Sequence, residues 1–325
     1  MSTYYQIFGG KINVVASDPA NPIKGQVWFN SGTPALKYQA LTVTGTWATG
    51  GNLGTARDFL AGAGTQTSGL GFGGYTAPPV VNSNATEEYN GTSWTAGGNL
   101  GTARRSLAGC GLQTVAAAFG GYATANSNAT EEYDGSTWTA GGNLATARFI
   151  LAGAGTQTAG LAFGGATYPP IVNINATEEY NGTAWTAGGN LGTARRSLAG
   201  CGLQTVAAAF GGYTTANSNA TEEYDGSTWT AGGNLGTARY GLAGAGTQTS
   251  ALGFGGSGPS ASTEEYNGSA WTAGGNLGTA RRYLAGAGTQ TAGLAFGGVT
   301  STAKTTATEE YSPPGLAVTR TVTST

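Results

Sequence analysis

The sequence predicts an all-β protein in which a unit of four short strands recurs six times. Each copy begins with an arginine, continues through Phe-Gly-Gly, and reaches Glu-Glu-Tyr before the next copy starts. A period in this range is typical of repeat folds, in which stacked units bury a continuous core. The six arginines, which by subtraction lie 47, 44, 47, 44 and 42 positions apart, are Arg57, Arg104, Arg148, Arg195, Arg239 and Arg281.

The composition excludes several classes of function. Only 9% of the 325 residues are charged and the net charge is −2, so the chain lacks the clustered Lys and Arg that nucleic acid requires. It has no histidine, which removes the commonest general base and the commonest imidazole metal ligand. Cys110 and Cys201 occupy the same repeat position and are predicted to be buried filler. We therefore expect a protein that is not an enzyme and uses no metal or cofactor.

The sequence contains no signal for a membrane segment or for export. No stretch approaches the ~18 consecutive apolar residues that a membrane-spanning helix requires. The first residues, MSTYYQIFGGKINVV, lack the charged region, the apolar region and the cleavage site of a signal peptide. We expect synthesis in the cytoplasm, no membrane insertion and no export by the signal route.

Within each copy, short apolar runs alternate with Gly, Asn, Asp and Ser, which is typical of strands joined by tight turns. Asn-Gly or Asp-Gly follows the third strand, as at Asn90-Gly91. This dipeptide predicts a two-residue hairpin, in which both central residues take a positive φ. In the second copy the predicted strands are 107–114, 115–119, 129–133 and 136–140.

Four antiparallel strands repeated about an axis make a β-propeller blade, so the sequence predicts a six-bladed β-propeller. The Ala- and Gly-rich first strand is expected nearest the axis, and Phe and Trp from the second and fourth strands are expected to fill the space between blades. The sixth copy lacks a fourth strand, because Pro313-Pro314 follows Tyr311. We predict that the strand containing Trp47, which precedes the first arginine, completes the last blade. The predicted division is an attachment segment 1–42, a propeller 43–312 and a tail 313–325 that could pair with a partner or fray.

These features resemble the kelch repeat. The shared pattern is an arginine, a strand of small residues, a Gly-Gly doublet, a Tyr followed by Asp or Asn, and then a Trp. The resemblance covers residues 43–311 and implies the propeller fold, which the central domain of galactose oxidase-like proteins shares. It implies no particular activity, because propellers host many unrelated functions. The copper chemistry of galactose oxidase needs histidine ligands, which this chain lacks.

A second resemblance lies in the N-terminal segment. The stretch GQVWFN from Gly25 to Asn30, with Leu-Lys after it at 36–37, resembles short hairpins in bacteriophage tail-fibre and tail-associated proteins. The resemblance implies a virion protein that contacts other virion proteins through residues 1–42. The alternative is a hairpin that packs beside the propeller and has no attachment role.

Two zones vary among the otherwise similar copies. One directly follows the arginine, and the other is the loop after Gly-Gly. Strands alternate in direction within a blade, so both zones are expected on the same face, where loops on a rigid scaffold commonly carry recognition. The alternative is sequence drift at tolerant loop positions. The candidate binding residues are Asp58, Phe59, Tyr75, Arg105, Tyr122, Phe149, Tyr168, Arg196, Tyr213, Tyr240, Arg282 and Tyr283.

The six repeated arginines are expected to form a structural ring with the glutamates and with backbone carbonyl groups. A ligand clamp is the alternative, because arginine captures carboxylate and sulfate groups. The additional Arg105, Arg196 and Arg282 occur only on alternate copies and are therefore better binding candidates. The two adjacent glutamates of each copy should point to opposite faces of their strand, which does not suit acid–base catalysis.

Three functions remain open at this point. The first is a tail-fibre or tail-tip protein of a phage virion, which binds a host surface glycan or protein through the face that carries the two variable zones. The second is a structural virion or filament subunit that assembles through its termini and could form a homo-oligomer. The third is a kelch-type scaffold that binds a protein partner.

Overall fold

The computed structural model of the chain describes residues 12–20, 26–41, 44–315 and 317–322. Residues 1–11, 21–25 and 42 of the predicted attachment segment, residue 43 of the predicted propeller, and 316 and 323–325 of the tail lie outside the described residues. The chain divides into two compact units, one of Met1–Gly45 with Pro313–Thr325 and one of Thr46–Ser312. Every regular element in the described residues is a strand, and no helix there could cross a membrane.

The strands of the described residues, in chain order, begin with the following sixteen: Asn13–Val15 (β1), Val27–Asn30 (β2), Ala35–Leu41 (β3), Thr46–Thr49 (β4), Arg57–Asp58 (β5), Ala61–Gly64 (β6), Gly69–Phe72 (β7), Tyr75–Thr76 (β8), Thr86–Tyr89 (β9), Trp94–Ala96 (β10), Ala108–Leu112 (β11), Val115–Phe119 (β12), Thr130–Tyr133 (β13), Trp138–Ala140 (β14), Ala152–Gly155 (β15) and Gly160–Phe163 (β16). The remaining strands are Ala166–Thr167 (β17), Val172–Asn173 (β18), Thr177–Tyr180 (β19), Trp185–Ala187 (β20), Ala199–Leu203 (β21), Val206–Phe210 (β22), Thr221–Tyr224 (β23), Trp229–Ala231 (β24), Ala243–Thr247 (β25), Ser250–Phe254 (β26), Thr263–Tyr266 (β27), Trp271–Ala273 (β28), Ala285–Gly288 (β29), Gly293–Phe296 (β30), Thr308–Ser312 (β31) and Ala317–Thr321 (β32).

The unit built from the two chain ends is a four-stranded sheet in the order β1-β2-β3-β32. Strand β1 pairs with β2 in parallel, β2 and β3 form an antiparallel hairpin, and β3 pairs antiparallel with β32. Oδ1 of Asp18 accepts hydrogen bonds from Trp28 Nε1 (3.0 Å), Asn30 Nδ2 (2.7 Å) and Lys37 Nζ (3.0 Å). The strand of the tail thus pairs with the N-terminal segment of its own chain.

Thr46–Ser312 contains six four-stranded antiparallel sheets, which we number repeat sheets 1 to 6. From first strand to fourth they are β6-β7-β9-β10, β11-β12-β13-β14, β15-β16-β19-β20, β21-β22-β23-β24, β25-β26-β27-β28 and β29-β30-β31-β4. Two further pairs, β5 with β8 and β17 with β18, form small two-stranded sheets. The prediction of an all-β protein with four antiparallel strands in each repeat is confirmed, and the arrangement is propeller-like.

Repeat sheet 6 combines strands from both ends of the repeat region. Strand β4 pairs with β31, so Trp47 lies opposite Tyr311. The centroid of the Trp47 ring lies 4.9 Å from that of Phe254 in repeat sheet 5, and Trp47 Nε1 donates to Thr263 Oγ1 at 2.9 Å. The fourth strand of the last sheet therefore precedes the first sheet in the chain.

Neighbouring repeat sheets pack through the same side chains each time. Between sheets 1 and 2, the ring centroids of Phe72 and Trp138 are 4.9 Å apart, and Trp138 Nε1 donates to Thr86 Oγ1 at 3.0 Å. The Tyr133 hydroxyl donates to Glu88 Oε1 at 2.5 Å. Fully burying one such aromatic side chain contributes about 1.5–3 kcal/mol, so these layers are a main source of stability.

The first strands lie closest together. A Cβ atom on Gly109 would lie 2.3 Å from Cζ of Phe72, which explains why small residues fill these strands. Gln157, in the turn that follows β15, donates to the carbonyl oxygens of Ala116 (3.1 Å) and Tyr133 (2.8 Å) in the preceding sheet. The first strands contact one another in the order β6, β11, β15, β21, β25 and β29, and β29 also contacts β6.

The turn between the third and fourth strands differs from the predicted two-residue hairpin. Tyr89 pairs with Trp94, so the loop comprises residues 90–93, and of these only Gly91 has a positive φ, of 88°. Oδ1 of Asn90 accepts hydrogen bonds from the backbone amides two and three residues later, at 3.0 and 2.9 Å. The prediction was wrong because the asparagine acts through its side chain and not through a left-handed backbone.

Candidate functional site

The repeated arginine of each copy is buried and holds its own repeat sheet together. Arg104 is 0% exposed, and its Nη1 donates to the carbonyl oxygens of Gly120 (2.8 Å) and Ala129 (2.7 Å), while Nη2 donates to Glu131 Oε1 (2.8 Å). The equivalent ion pair recurs in all six repeat sheets, with N–O distances from 2.8 to 3.0 Å. Burial lowers the pKa of Arg104, and the charge of Glu131 opposes this shift. These contacts are internal, so this ring of arginines presents no charge to a ligand.

The two adjacent glutamates of each copy point to opposite faces of the third strand. Glu131 pairs with Arg104 within its sheet, whereas Oε1 of Glu132 accepts the hydroxyl hydrogen of Tyr180 in the next sheet at 2.6 Å. Burial, together with this hydrogen bond, raises the pKa of Tyr180 to about 12. The carboxylates are therefore used separately and do not form a catalytic pair.

In five of the six copies the two variable zones meet through backbone hydrogen bonds, whereas in copy 5 the Tyr240 amide donates to the Ser257 hydroxyl oxygen at 3.4 Å. The residue after the arginine pairs with the residue after Gly-Gly: Arg105 N donates to Tyr122 O at 3.1 Å, and Tyr122 N donates to Arg105 O at 2.8 Å. Arg196 and Tyr213 make the same exchange, and Asp58 pairs with Tyr75 between β5 and β8. Both zones consequently lie at one end of the repeat sheets.

At this end a cavity of about 580 Å³ opens between the six sheets, and we call it the mouth. Its wall is mainly aromatic, with two arginines and small polar groups among the rings. The lining residues are Phe59, Tyr75, Arg105, Ser106, Phe149, Ile150, Arg196, Ser197, Tyr213, Tyr240 and Tyr283.

The floor of the mouth is a cycle of six backbone hydrogen bonds, one from each copy. The amide two residues after each repeated arginine donates to the equivalent carbonyl of the preceding copy, as Ser106 N does to Phe59 O at 2.8 Å. The cycle returns on itself, because Phe59 N donates to Tyr283 O at 2.9 Å. Five of these six residues are not glycine, yet all have φ between 50° and 58°, whereas Gly241 occupies the sixth position. A left-handed backbone is costly for such residues and is found preferentially at functional sites.

Cationic side chains lie over the tyrosine rings of the mouth. The guanidinium of Arg105 is 4.5 Å from the ring centroid of Tyr75, and its Nη1 donates to Asn82 Oδ1 at 2.8 Å. The guanidinium of Arg196 lies 4.5 Å from the ring centroid of Tyr213 in its own copy, as that of Arg105 lies 4.9 Å from Tyr122, and Arg196 Nη1 donates to Asn173 Oδ1 at 2.7 Å. These contacts fix the direction of both guanidinium groups, and neither has an acidic side chain as its hydrogen-bond partner.

The junction between copies 6 and 1 has its own charges. Lys304 forms an ion pair with Asp58, and its Nζ lies 4.3 Å from the ring centroid of Tyr75. Burial raises the pKa of Asp58, and Lys304 opposes the shift. The guanidinium of Arg282 lies 5.3 Å from the ring centroid of Tyr283. Asp58 is thus the one acidic residue of the variable zones in 46–312, and it is already paired.

Eight of the twelve candidate binding residues line the mouth, and four lie around it. The Tyr122 ring is tilted against Phe149 and packs edge-on with Tyr168, at centroid distances of 5.8 and 6.4 Å. Tyr168 is itself exposed on the loop after β17. Asp58 and Arg282 occupy the ion pair and the ring contact described above.

Sequence reasoning missed three kinds of residue at this end. Ser106, Ile150 and Ser197 line the mouth, Asn82 and Asn173 orient two arginines, and Lys304 neutralises Asp58. A signal was available, because Asn82 and Asn173 stand four residues before the Thr-Glu-Glu of copies 1 and 3, and Lys304 stands at the same position of copy 6.

The opposite end of the sheets carries the turns between first and second strands. A second cavity there, of about 400 Å³, is lined by glycines, threonines and the apolar Leu112, Val115 and Leu203. Cys110 and Cys201 are buried free thiols, and burial raises the pKa of each to about 12. Among the described residues, no group of three or more potential Cys, Asp or Glu ligands could hold a metal ion.

Neither a protein-family model nor a curated protein sequence matches the chain.

Proposed function

We propose that the six repeat sheets are the blades of a closed, six-bladed, kelch-like β-propeller. The proposal is supported by the contact of β29 with β6, by the pairing of β4 with β31, and by the returning cycle of hydrogen bonds at the floor of the mouth. We name the end with the mouth the variable face and the end with the first-to-second-strand turns the turn face. Blades take the numbers of their repeat sheets.

We further propose that the protein is a phage virion component of a tail fibre or tail tip and that its variable face binds a host surface glycan. The sequence resemblance of the N-terminal segment to tail-fibre hairpins supports the virion assignment. The mouth supports the binding role, because it is a preformed concave site with aromatic walls and a few oriented polar groups.

The composition of the mouth favours an acidic sugar. Tyrosine rings offer flat apolar surfaces to the faces of a sugar ring, and guanidinium groups bind carboxylate or sulfate through two parallel hydrogen bonds. Arg105 and Arg196 line the mouth, and Arg282 and Lys304 lie around it with one aspartate, Asp58. This surplus of positive charge on a chain of net charge −2 is the observation that carries the proposal.

A glycan array tests the proposal with the full chain and two matched variants. Arg105→Ala/Arg196→Ala removes the two oriented guanidinium groups, whereas Arg105→Lys/Arg196→Lys keeps their charge and loses the paired hydrogen bonds. We expect the wild type to bind acidic glycans, the alanine variant to bind at least ~tenfold more weakly, and the lysine variant to fall between them. Absence of glycan binding by the wild type, or equal binding by all three proteins, would contradict the proposal.

The virion assignment has a separate test. Antibodies raised against the chain should label the tail in negative-stain images of the native particle. Labelling of the capsid, or of no particle, would contradict the tail assignment while leaving the glycan result unaffected.

A further inference from the structure

The exposed apolar side chains of the propeller are confined to two pairs of blades. In residues 46–312, all of which are described, nine large apolar side chains are between 45% and 63% exposed. Five lie in the long loops after the second strands of blades 1 and 3, on the variable face: Val80, Val81, Tyr168, Ile171 and Val172. The other four lie in the turns of blades 2 and 4, on the turn face: Leu112, Val115, Leu203 and Val206. Apolar groups that remain exposed in clusters commonly mark contact surfaces.

The charges of the two faces are opposite. The six buried arginines are neutralised by six glutamates, and the other six glutamates accept hydrogen bonds from tyrosine hydroxyls. Those six glutamates keep their charge but lie within the third strands, between the two faces. The charged side chains at the two ends of the blades are Arg105, Arg196, Arg282, Lys304 and Asp58 on the variable face and Asp134 and Asp225 on the turn face. The variable face is therefore positive and the turn face negative.

Each aspartate of the turn face adjoins an apolar turn of its own blade. A Cβ atom on Gly135 would lie 3.4 Å from Cβ of Thr114, so the loop of Asp134 packs against the turn that carries Leu112 and Val115. Blade 4 repeats this arrangement with Thr205, also at 3.4 Å from a Cβ on Gly226. Backbone amides and hydroxyl groups that donate to the Asp134 carboxylate hold its pKa below the ordinary range, so it stays ionised. Blades 2 and 4 thus present two copies of one epitope, apolar with an acidic border.

We propose that copies of this chain associate head to tail, with the variable face of one copy on the turn face of the next. The two faces match in charge and in the presence of exposed apolar groups. They also match in angle about the propeller axis. The loops of blades 1 and 3 are two blade positions apart, and so are the turns of blades 2 and 4. A rotation of one blade about the axis brings the loops of one copy over the turns of its neighbour.

This contact joins two different surfaces, so it does not close on itself as a two-fold dimer does. Repetition of the same step produces a stack in which only the terminal copy leaves its variable face free. The inference rests on the proposed closed propeller, and its positive face includes Arg105 and Arg196 of the proposed glycan site. The two proposals are nevertheless tested separately, because the variants below change only the exposed loops and turns.

Sedimentation velocity of paired variants tests the contact. Leu112→Lys/Leu203→Lys places positive charge on the turn face, and Val81→Asp/Val172→Asp places negative charge on the variable face. We expect the wild type to associate with increasing concentration up to ~1 mM, and each variant alone to associate at least ~tenfold more weakly. An equimolar mixture should associate again, because each variant retains the surface that the other has lost.

The control is Thr139→Lys/Thr230→Lys, which adds the same charges to the exposed fourth strands of blades 2 and 4. It should associate like the wild type. A wild type that stays monomeric at every concentration, a control as weak as the turn-face variant, or a mixture that stays monomeric would overturn the proposal. Full association of either variant on its own would also overturn the proposal. It would show that copies associate through two variable faces or two turn faces, and not through one of each.

Discussion

Arg104 and Arg105 are neighbours in the chain, but Arg104 belongs to the interior, which is the same in every copy, and Arg105 to the mouth, which differs between copies. Arg104 lies inside a repeat sheet, is 0% exposed and has the same partners in every copy. Arg105 lies at the mouth, over the rings of Tyr75 and Tyr122, and an aspartate, an aromatic residue or another arginine takes its place in other copies. The comparison shows that the residue type alone does not reveal whether an arginine stabilises the fold or lines the mouth. The position of its side chain in the repeat sheet must also be known.

The interior of the repeat region is uniform because each contact joins one sheet to the next. The Tyr–Glu, Trp–Thr and Gln–carbonyl hydrogen bonds occur at all six junctions between sheets. A change in one copy would mismatch it with both neighbours, so no copy can depart from the pattern alone. At the mouth the contacts between copies differ from one junction to the next, as the Arg105–Asn82 hydrogen bond and the Lys304–Asp58 ion pair show, so the copies can vary there.

The largest effect should come from the strand that joins both ends of the repeat region. Deletion of residues 1–50 removes β4, including the Trp47 contacts with Phe254, Tyr311 and Thr263. Loss of a buried aromatic residue and a strand should lower the melting temperature by about 10 °C or more relative to deletion of residues 1–44, which keeps β4. Thermal unfolding followed by tryptophan fluorescence measures the difference, and equal melting temperatures would show that the strand is dispensable.

The next effect compares the two adjacent arginines directly. Arg104→Ala leaves Glu131 buried without its cation and should cost about 3–5 kcal/mol of unfolding free energy. Arg105→Ala removes a partly exposed side chain and should cost less than ~1 kcal/mol. Urea unfolding of both variants checks the contrast. Similar losses of unfolding free energy in the two variants would contradict the prediction that the interior arginine stabilises the fold and the mouth arginine does not.

The tyrosines of the interior should make stability fall at high pH. Burial and the hydrogen bonds to glutamate raise the pKa of Tyr180 and Tyr224 from 10.0 to about 12. The folded state thus binds the hydroxyl proton more tightly, so this contribution is complete below about pH 10 and is lost as the pH rises toward 12. Urea midpoints between pH 8 and 12 should show the fall, and Tyr180→Phe/Tyr224→Phe should make it shallower. A midpoint that is constant over this range would contradict the assignment.

The smallest effect concerns the floor of the mouth. Ser106 has a φ of 58°, a conformation that glycine adopts without steric cost, so Ser106→Gly should raise stability by about 0.5 kcal/mol. Gly241→Ala should have the opposite sign, because its Cβ would lie 2.8 Å from the Tyr283 ring and the backbone there is also left-handed. Urea unfolding distinguishes the two signs. A loss of stability in Ser106→Gly would contradict this prediction and would indicate that the Ser106 hydroxyl stabilises the fold.

The sequence supplied the parts of the fold that follow from local pattern. The apolar runs and turn residues of each copy predicted four antiparallel strands, because alternation and turn chemistry act over a few residues. The same local logic failed at Asn90-Gly91, where a side-chain oxygen replaced the expected left-handed backbone. Those hydrogen bonds span two and three residues, so local side-chain chemistry decided that loop, and the Asn-Gly dipeptide alone does not distinguish it from a two-residue hairpin.

The candidate site was predictable only in outline. Variation among the copies identified the two zones that line the mouth, since strand direction alone places them at one end. Which arginine lies over which tyrosine depends on the asparagine that orients it, such as Asn82, and on packing between copies. The left-handed residues of the floor had no local signal either, because their conformation is imposed by the cycle of amides and carbonyls.

The pairing of Thr46 with Ser312 determines how the repeat region would respond to mechanical force. The chain enters β4 at Thr46 and leaves β31 at Ser312, so a pull on the two ends would act at one end of an antiparallel pair. Such a pair opens like a zipper, one hydrogen bond at a time, at lower force than strands that must slide past each other. The strands Ala35–Leu41 and Ala317–Thr321 pair with each other and lie nearer to the two chain ends. These two strands must therefore separate before the force reaches the pair of β4 and β31.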